Sequence, residues 1–103
     1  MLRNVHLNRW KPGTPQEAID AIIENSRDFP ERFPEIRSML VGVDHGLDGV
    51  RGQPNYDMVI TLDFDDDEGY CTFMQREGHR TFVEKYVLPY RKEFARIQFI
   101  WNP

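Results

Sequence analysis

The sequence alternates most regularly over the stretch Asn55-Tyr56-Asp57-Met58-Val59-Ile60-Thr61-Leu62-Asp63-Phe64. Every second residue from Tyr56 to Phe64 is apolar, and the positions between them are mostly polar. Because successive side chains of a strand point to opposite faces, this pattern predicts a β-strand with one fully apolar face. Such a strand belongs to a sheet whose apolar side is covered by other elements.

Segments on both sides of this strand carry further signals. Thr14, Pro15 and Glu17 are typical of a helix start, with Thr14 as the N-cap and Pro15 at the first helical position. We expect this helix to end near Phe29. A second helical region opens after the acidic run 65–68, is interrupted at Gly78 and resumes from His79 to Tyr90. Alternating residues predict three more strands, over residues 2–10, 38–44 and 95–101.

The predicted order is strand, helix, strand, strand, helix, strand. This order is typical of an α+β protein with the ferredoxin-like βαββαβ fold, in which a four-stranded antiparallel sheet carries both helices on one face. The uncovered face would carry Val5, Leu7, Val59, Thr61 and Ile97. That face is too apolar for solvent, so we predict a homodimer formed sheet against sheet.

Length and charge limit the remaining possibilities. The chain has 103 residues, which suits a single domain over residues 1–103. Its 13 Lys and Arg against 17 Asp and Glu leave a net charge of −4 without a basic run, which disfavours nucleic-acid binding. No apolar run approaches the ~20 residues that span a bilayer, so no membrane contact is expected.

The N-terminal residues alternate instead of forming the apolar block of a signal peptide, so we expect the mature chain to begin at Met1. The single Cys71 cannot form an internal disulfide, and we expect it to be a buried, small apolar side chain. A cytoplasmic location fits these features best.

The first strand is unusual because its apolar residues flank polar ones. Leu2, Asn4, His6, Asn8 and Trp10 share one face. Burying each polar group without a partner would cost about 1–3 kcal/mol. The imidazole and the two carboxamides therefore line a wet cavity or lie on an exposed surface.

The order and spacing of several short motifs resemble the stress-responsive dimeric α/β-barrel (Dabb) family nearly end to end. These motifs are Leu2-Arg3-Asn4-Val5-His6-Leu7, Lys11-Pro12-Gly13-Thr14, Ile36-Arg37-Ser38, Tyr56-Asp57-Met58-Val59, Asp63-Phe64-Asp65 and Gly78-His79-Arg80-Thr81-Phe82-Val83. The resemblance implies a dimeric α+β barrel in which the helix-covered side of each sheet can enclose a small pocket.

The resemblance also implies candidate chemistry, since one branch of the family comprises plant polyketide cyclases. In that branch a histidine at the position of His79 acts as general base, paired with a tyrosine where this chain has Phe73. The first-strand histidine of the branch matches Asn4, an apolar residue matches His6, and another pocket histidine matches Met58. Only His79 carries over directly.

We predict His79 and His6 as the catalytic residues, because an imidazole with a pKa of about 6.5 exchanges protons near neutral pH. Asn4 and Asn8 would supply polar contacts to an enolate or phenolate oxygen. The remaining predicted substrate contacts are Tyr86, Phe73, Met58 and Trp10. The structural alternatives stay open. His79 could be an N-cap or could hold its helix in place by a hydrogen bond to the sheet, His6 could be a satisfied buried histidine, and the aromatic residues could be core.

We expect no cofactor and no metal. The sequence has no phosphate-binding glycine loop, dinucleotide fingerprint or nucleophile elbow. Its three histidines lack zinc-site spacing, and the acidic run 65–68 suits a helix N-terminus. The leading hypothesis is a cofactor-independent cyclase, isomerase or lyase acting on a small carbonyl compound. The alternative is a non-catalytic stress-responsive binding or structural protein.

Overall fold

The computed structural model describes residues 1–47, 49 and 51–103. The described residues form four strands, four helices and a π-helical turn that follows the last helix. In chain order they are β1 (Leu2–Trp10), α1 (Gln16–Ser26), α2 (Phe29–Arg32), β2 (Ile36–Val43), β3 (Met58–Phe64), α3 (Asp67–Met74), α4 (Glu77–Phe82), the π-helical turn (Val83–Val87) and β4 (Arg91–Ile100).

The four strands form one antiparallel sheet in the order β2-β3-β1-β4, which is the ferredoxin-like arrangement. The predicted fold class is therefore confirmed. Strands β1 and β3 occupy the centre, so the first-strand residues lie beside the regularly alternating strand. His6 pairs with Ile60 on one side and with Arg96 on the other.

Two strand boundaries differ from the predicted ones. Strand β3 begins at Met58 because the Asp57 carboxylate, not a backbone carbonyl, accepts the Trp10 backbone N–H at 2.7 Å. Strand β4 begins at Arg91, four residues before the predicted start, because its pairing with β1 continues past a bulge at Arg9 and Trp10. This longer β4 brings Arg91 into the sheet.

Two helix boundaries also differ. Helix α1 has Pro15 as its N-cap, and the Thr14 hydroxyl donates to the Lys11 carbonyl at 2.7 Å, so the prediction of Thr14 as N-cap was wrong. The break between α3 and α4 falls before Gly78, which lies inside α4. A Cβ at Gly78 would lie 3.1 Å from Phe33 Cζ, so this glycine allows α4 to approach the core closely.

The hydrophobic core lies between the helices and one face of the sheet. Phe29 is its centre: its ring contacts those of Phe33, Phe73 and Phe82, with centroids 4.9–6.2 Å apart and mostly edge-on. Buried Met58, Leu62 and Phe64 supply the sheet side of this core. Aromatic pairs in this geometry stabilise a core beyond the area that they bury.

The other face of the sheet, called the open face below, carries the residues predicted for it. Val5 pairs with Thr61 and Ile97, and Leu7 pairs with Val59, so all five side chains share this face. Apolar side chains are exposed here: Leu40 at 63%, Ile97 at 62% and Phe99 at 42%. None of the described helices is long and apolar enough to cross a membrane.

Asp63 forms a polar cluster on the open face. Its carboxylate accepts two hydrogen bonds from Arg3, at 2.8 and 2.9 Å, one from the Trp101 indole at 3.3 Å and one from the Ser38 hydroxyl. The Arg3 guanidinium also lies 4.3 Å from the centre of the Trp101 ring. The hydrogen bonds from Arg3 lower the pKa of Asp63, which is 1% exposed.

Candidate functional site

A cavity of about 190 Å³, called the histidine cavity below, lies between the helix-covered face of the sheet and the helical layer. Exposed Met74, Phe94 and Arg96 mark the points at which it reaches the surface. The residues that line it are Asn4, His6, Asn8, Phe29, Ile60, Leu62, Phe73, Met74, His79, Phe82, Val83, Val87, Arg91, Phe94 and Arg96.

Strands β1 and β4 supply the polar side of the cavity. The Arg91 Nε–H donates to Asn8 Oδ1 at 2.8 Å, and Arg91 Nη2 lies 3.3 Å from His6 Nε2. Gln98 donates to Asn4 Oδ1 at 3.0 Å. The first-strand polar residues therefore face inward and have partners, which removes the cost of burying them unpaired.

The contact with Arg91 determines the protonation of His6. A guanidinium has only donors, so His6 Nε2 acts as the acceptor and the proton of the neutral ring is on Nδ1. Burial, and then the positive charges of Arg91, Arg96 and His79, lower the pKa of His6 from 6.5 to about 4. At neutral pH His6 is an uncharged ring held against Arg91.

His79 enters the cavity from the opposite side, on α4. Its ring stacks on Phe73, with centroids 4.4 Å apart. Burial lowers its pKa, and a backbone contact with Met74 opposes that shift. The N-cap of α4 is Arg76, so the alternative in which His79 is an N-cap is wrong, whereas its backbone contact with Met74 leaves a structural role open.

The π-helical turn shapes the apolar side of the cavity. The Leu88 N–H donates to the Val83 carbonyl at 2.9 Å, a bond that spans five residues instead of the usual four. Both Val83 and Val87, at the two ends of the turn, line the cavity. Single π turns inside helices occur frequently at functional sites.

The structure brings together five of the eight predicted site residues: Asn4, His6, Asn8, Phe73 and His79 all line the histidine cavity. Met58 and Trp10 pack in the hydrophobic core instead. Tyr86 lies in a separate surface groove beside Asn25 and Lys85. The roles of these residues in binding and catalysis stay predictions.

Sequence reasoning missed Arg91 and Arg96. Residues 94, 96 and 98 share the face of β4 that neighbours Asn8, His6 and Asn4, so the alternation of β4 could have indicated Arg96. Arg91 could not be found in this way, because the bulge at Arg9 and Trp10 changes the register before it.

Two other expectations have a clear outcome. Cys71 is exposed, so the prediction of a buried thiol was wrong: it lies on the solvent side of α3, away from the aromatic core. Asp66, the second residue of the acidic run, is the N-cap of α3 and accepts the Gly69 N–H at 2.9 Å. The described residues contain no group of three or more His, Cys, Asp or Glu side chains arranged to hold a metal ion.

A four-stranded ferredoxin-like sheet that encloses a cavity beneath its helices defines a class of small α+β domains. Within this class, the chain belongs to the stress responsive A/B barrel domain (Dabb) family, whose model matches residues 2–100. No curated protein matches the sequence significantly.

Solved structures share the fold at low identity. A dimeric ferredoxin-like protein of Thermobifida fusca YX is 23% identical with a TM-score of 0.84, over 97% of this chain and 90% of that one. The hydroxynitrile lyase of Passiflora edulis is 21% identical with a TM-score of 0.81, over 98% and 93% of the two chains. A protein of Arabidopsis thaliana is 16% identical with a TM-score of 0.83, over 100% and 97%.

Proposed function

We propose that this protein binds a small carbonyl compound in the histidine cavity and catalyses proton transfer on it with its own side chains, as a cyclase, isomerase or lyase does. The observation that carries the proposal is that His6 and His79, far apart in sequence, line one cavity that reaches the surface. A titratable pair inside an apolar cavity is the usual arrangement of an acid–base site.

His79 is the proposed base. Its lowered pKa keeps the ring neutral at pH 7, so it can take a proton from the carbon next to a carbonyl group. The electron pair of the broken C–H bond then moves onto the carbonyl oxygen as an enolate. His6 orients the substrate, because its Nε2 is already engaged by Arg91.

Asn4 and Asn8 are the proposed enolate contacts. In each residue the side-chain oxygen accepts a hydrogen bond from β4, which leaves the Nδ2–H groups as donors for a ligand. Donors aimed at the developing oxyanion stabilise the transition state more than the ground state.

The size of the cavity supports a small substrate. An apolar cavity of about 150 Å³ admits one benzene ring. The 190 Å³ here therefore suits a ring or branched chain that bears a few additional heavy atoms. The hydroxynitrile lyase of the same fold also acts on a small molecule, which is consistent with this size class.

Exchange of α-protons in D2O tests the chemistry without knowledge of the natural substrate. Phenylacetone and cyclohexanone serve as probes, followed by proton NMR at pD 7.5. We expect the wild type to accelerate exchange and His79→Gln to reduce the enzymatic rate by about 100-fold or more. His45→Gln, which changes an exposed loop histidine, is the matched control and should exchange at the wild-type rate.

Equal exchange by the wild type and His79→Gln would contradict the role of His79. A ketone that binds in the cavity without any accelerated exchange would instead support the non-catalytic, stress-responsive binding protein. That alternative is favoured by one observation: Asn4, His6 and Asn8 each already hold a hydrogen-bond contact with a β4 side chain.

We also propose that the protein is a cytoplasmic homodimer whose open faces pack against each other as a dimeric α+β barrel. Exposed Leu40, Ile97 and Phe99 on the open face support this assembly, since a solvated sheet face of this kind is uncommon. The Thermobifida fusca protein of the same fold is described as dimeric. The exposed Cys71 thiol suits a reducing compartment.

A further inference from the structure

We infer that the ligand of the histidine cavity is a small monocarboxylate, with its apolar body among the core side chains and its carboxylate directed at Arg91 and Arg96. This inference rests on the proposed function and adds the chemical class of the ligand. It starts from two guanidinium groups that β4 contributes to a cavity whose helical side is largely apolar.

Arg91 is held rigidly by neutral groups. Asn8 Oδ1 and His6 Nε2 each engage one nitrogen, and the guanidinium lies 4.5 Å from the centre of the Phe94 ring. A guanidinium has five N–H donors, so three remain beyond these two contacts. A planar group with fixed orientation and spare donors matches the two oxygens of a carboxylate.

The charge of the cavity is not balanced by protein groups. The described lining residues include Arg91, Arg96, His6 and His79 but neither Asp nor Glu. Within the described part of the chain, Arg91 and Arg96 take part in no ion pair. Burial lowers the pKa of Arg91, as expected for a cation without an anion beside it. An anionic ligand would supply the missing charge.

The rest of the cavity selects against a hydrated inorganic anion. Phe29, Phe73 and Phe82 lie opposite the β4 arginines and present only ring carbon atoms. Ile60, Leu62 and the two valines of the π-helical turn complete this apolar side. A ligand that fills the cavity therefore needs an apolar body as well as a charged end.

Benzoate and its neutral isostere benzamide test the inference as a matched pair. Titration at pH 7 and low ionic strength, followed by NMR of the imidazole protons of His6 and His79, reports binding inside the cavity. We expect benzoate to bind at least about tenfold more tightly than benzamide. We also expect 0.5 M NaCl to weaken the binding of benzoate but not that of benzamide.

Variants of the two cavity arginines test whether they cause the preference for benzoate over benzamide. Arg91→Gln and Arg96→Gln should each reduce the benzoate preference, and Arg96→Gln remains informative if Arg91→Gln folds poorly, since Arg96 is exposed. Arg27→Gln is the control, because it removes one positive charge from the surface of the chain just after α1. It should leave the preference intact.

Each result separates the carboxylate inference from the proposed function. Equal binding of benzoate and benzamide would overturn the carboxylate inference and leave small-molecule binding standing. A preference for benzoate that persists in both Arg91→Gln and Arg96→Gln would also overturn the carboxylate inference. Failure of both probes to shift the two imidazoles would overturn the carboxylate inference, and the ketone exchange experiment would then decide the proposed function separately. If inorganic phosphate bound as tightly as benzoate, the apolar body of the ligand would contribute no affinity. That result would also reject the inference.

Discussion

Arg3 and Arg91 lie on opposite faces of one sheet and have opposite surroundings. On the open face, Arg3 donates two hydrogen bonds to the Asp63 carboxylate, at 2.8 and 2.9 Å. On the helix-covered face, Arg91 contacts the neutral acceptors of Asn8 and His6 and the ring of Phe94. One cation has its anion in the protein, and the other has none within the described residues.

This difference indicates that the charge of Arg3 has a structural role, whereas the charge of Arg91 is available to an anionic ligand. A paired guanidinium beside a buried carboxylate holds strands together and has little free energy left for a ligand. A guanidinium that is oriented but not neutralised keeps both charge and donors available. This difference agrees with the proposals that the open face is the dimer interface and that the helix-covered face holds the ligand site.

The largest effect is expected from a charge introduced on the open face. Ile97→Asp should raise the dimer Kd about a thousandfold, because two-fold symmetry buries the new carboxylate twice in the interface. Sedimentation velocity over a range of concentrations measures this change.

Ile100→Asp is the matched control for the open face. Ile100 is 69% exposed on the same strand, but it pairs with Leu2 and so points to the opposite side of the sheet. It should leave the dimer intact. If the two variants behave alike, or if the wild type is monomeric at micromolar concentration, the open face is not the dimer interface.

A smaller effect is expected from removing the anion that neutralises Arg3. Asp63→Ala should lower the free energy of unfolding by about 2–3 kcal/mol, since the Ser38 hydroxyl and the Trp101 indole lose their acceptor. Urea denaturation measures the change. Asp65→Ala removes an exposed partner of Arg37 and should shift the midpoint much less. A loss at Asp63 no greater than at Asp65 would contradict the structural role of the cluster.

The smallest effect concerns the helix-covered face and its dependence on pH. The folded pKa of His6, about 4, lies below its ordinary 6.5, so the unfolded chain binds more protons between these values. Stability is therefore complete above about pH 6.5 and falls as the pH drops toward 4. Because His6 is only partly buried, we expect a loss of about 1 kcal/mol between pH 7 and 5.

Variants assign this pH dependence to His6, which faces Arg91, Arg96 and His79. His6→Gln keeps an acceptor for Arg91 and should reduce the loss, the remainder coming from His79, whose pKa is also lowered by burial. His45→Gln should retain the whole loss. Urea midpoints at the two pH values provide the comparison. The carboxylates with lowered pKa values, Glu35, Asp63 and Asp65, contribute in more acid solution. A slope unchanged by His6→Gln would show that the ring is not held neutral by its surroundings.

Much of the fold could be predicted because it depends on local periodicity. The alternation from Tyr56 to Phe64 and the mixed face of β1 defined which side chains share each face, and the order of elements gave the topology. Boundaries were less predictable where a side chain replaces a backbone partner, as the Asp57 carboxylate does at the end of β1. A side chain that takes the place of a backbone acceptor does not change the alternation of apolar and polar residues, so the sequence pattern does not indicate it.

The candidate site was predicted in part. Parity along β1 placed Asn4, His6 and Asn8 on one face, and the fold together with the resemblance to the Dabb family pointed to a pocket on the helix-covered side and to His79. Tyr86 was misplaced because helical spacing was extended through residues 83–87, where the π-helical turn changes the angle per residue. Arg91 was not predicted as a site residue, because a bulge changes the strand register next to it.

The sequence by itself determined the strands, the helices and the faces on which their residues lie, because these follow from periods of 2 and 3.6 residues in the local chain. Only the tertiary structure decided which distant residues meet. It packed His79 of α4 opposite His6 of β1, and it held Arg91 against His6 without a carboxylate. These contacts depend on the packing of the helices and on one bulge. Both result from interactions between residues that lie far apart in the sequence.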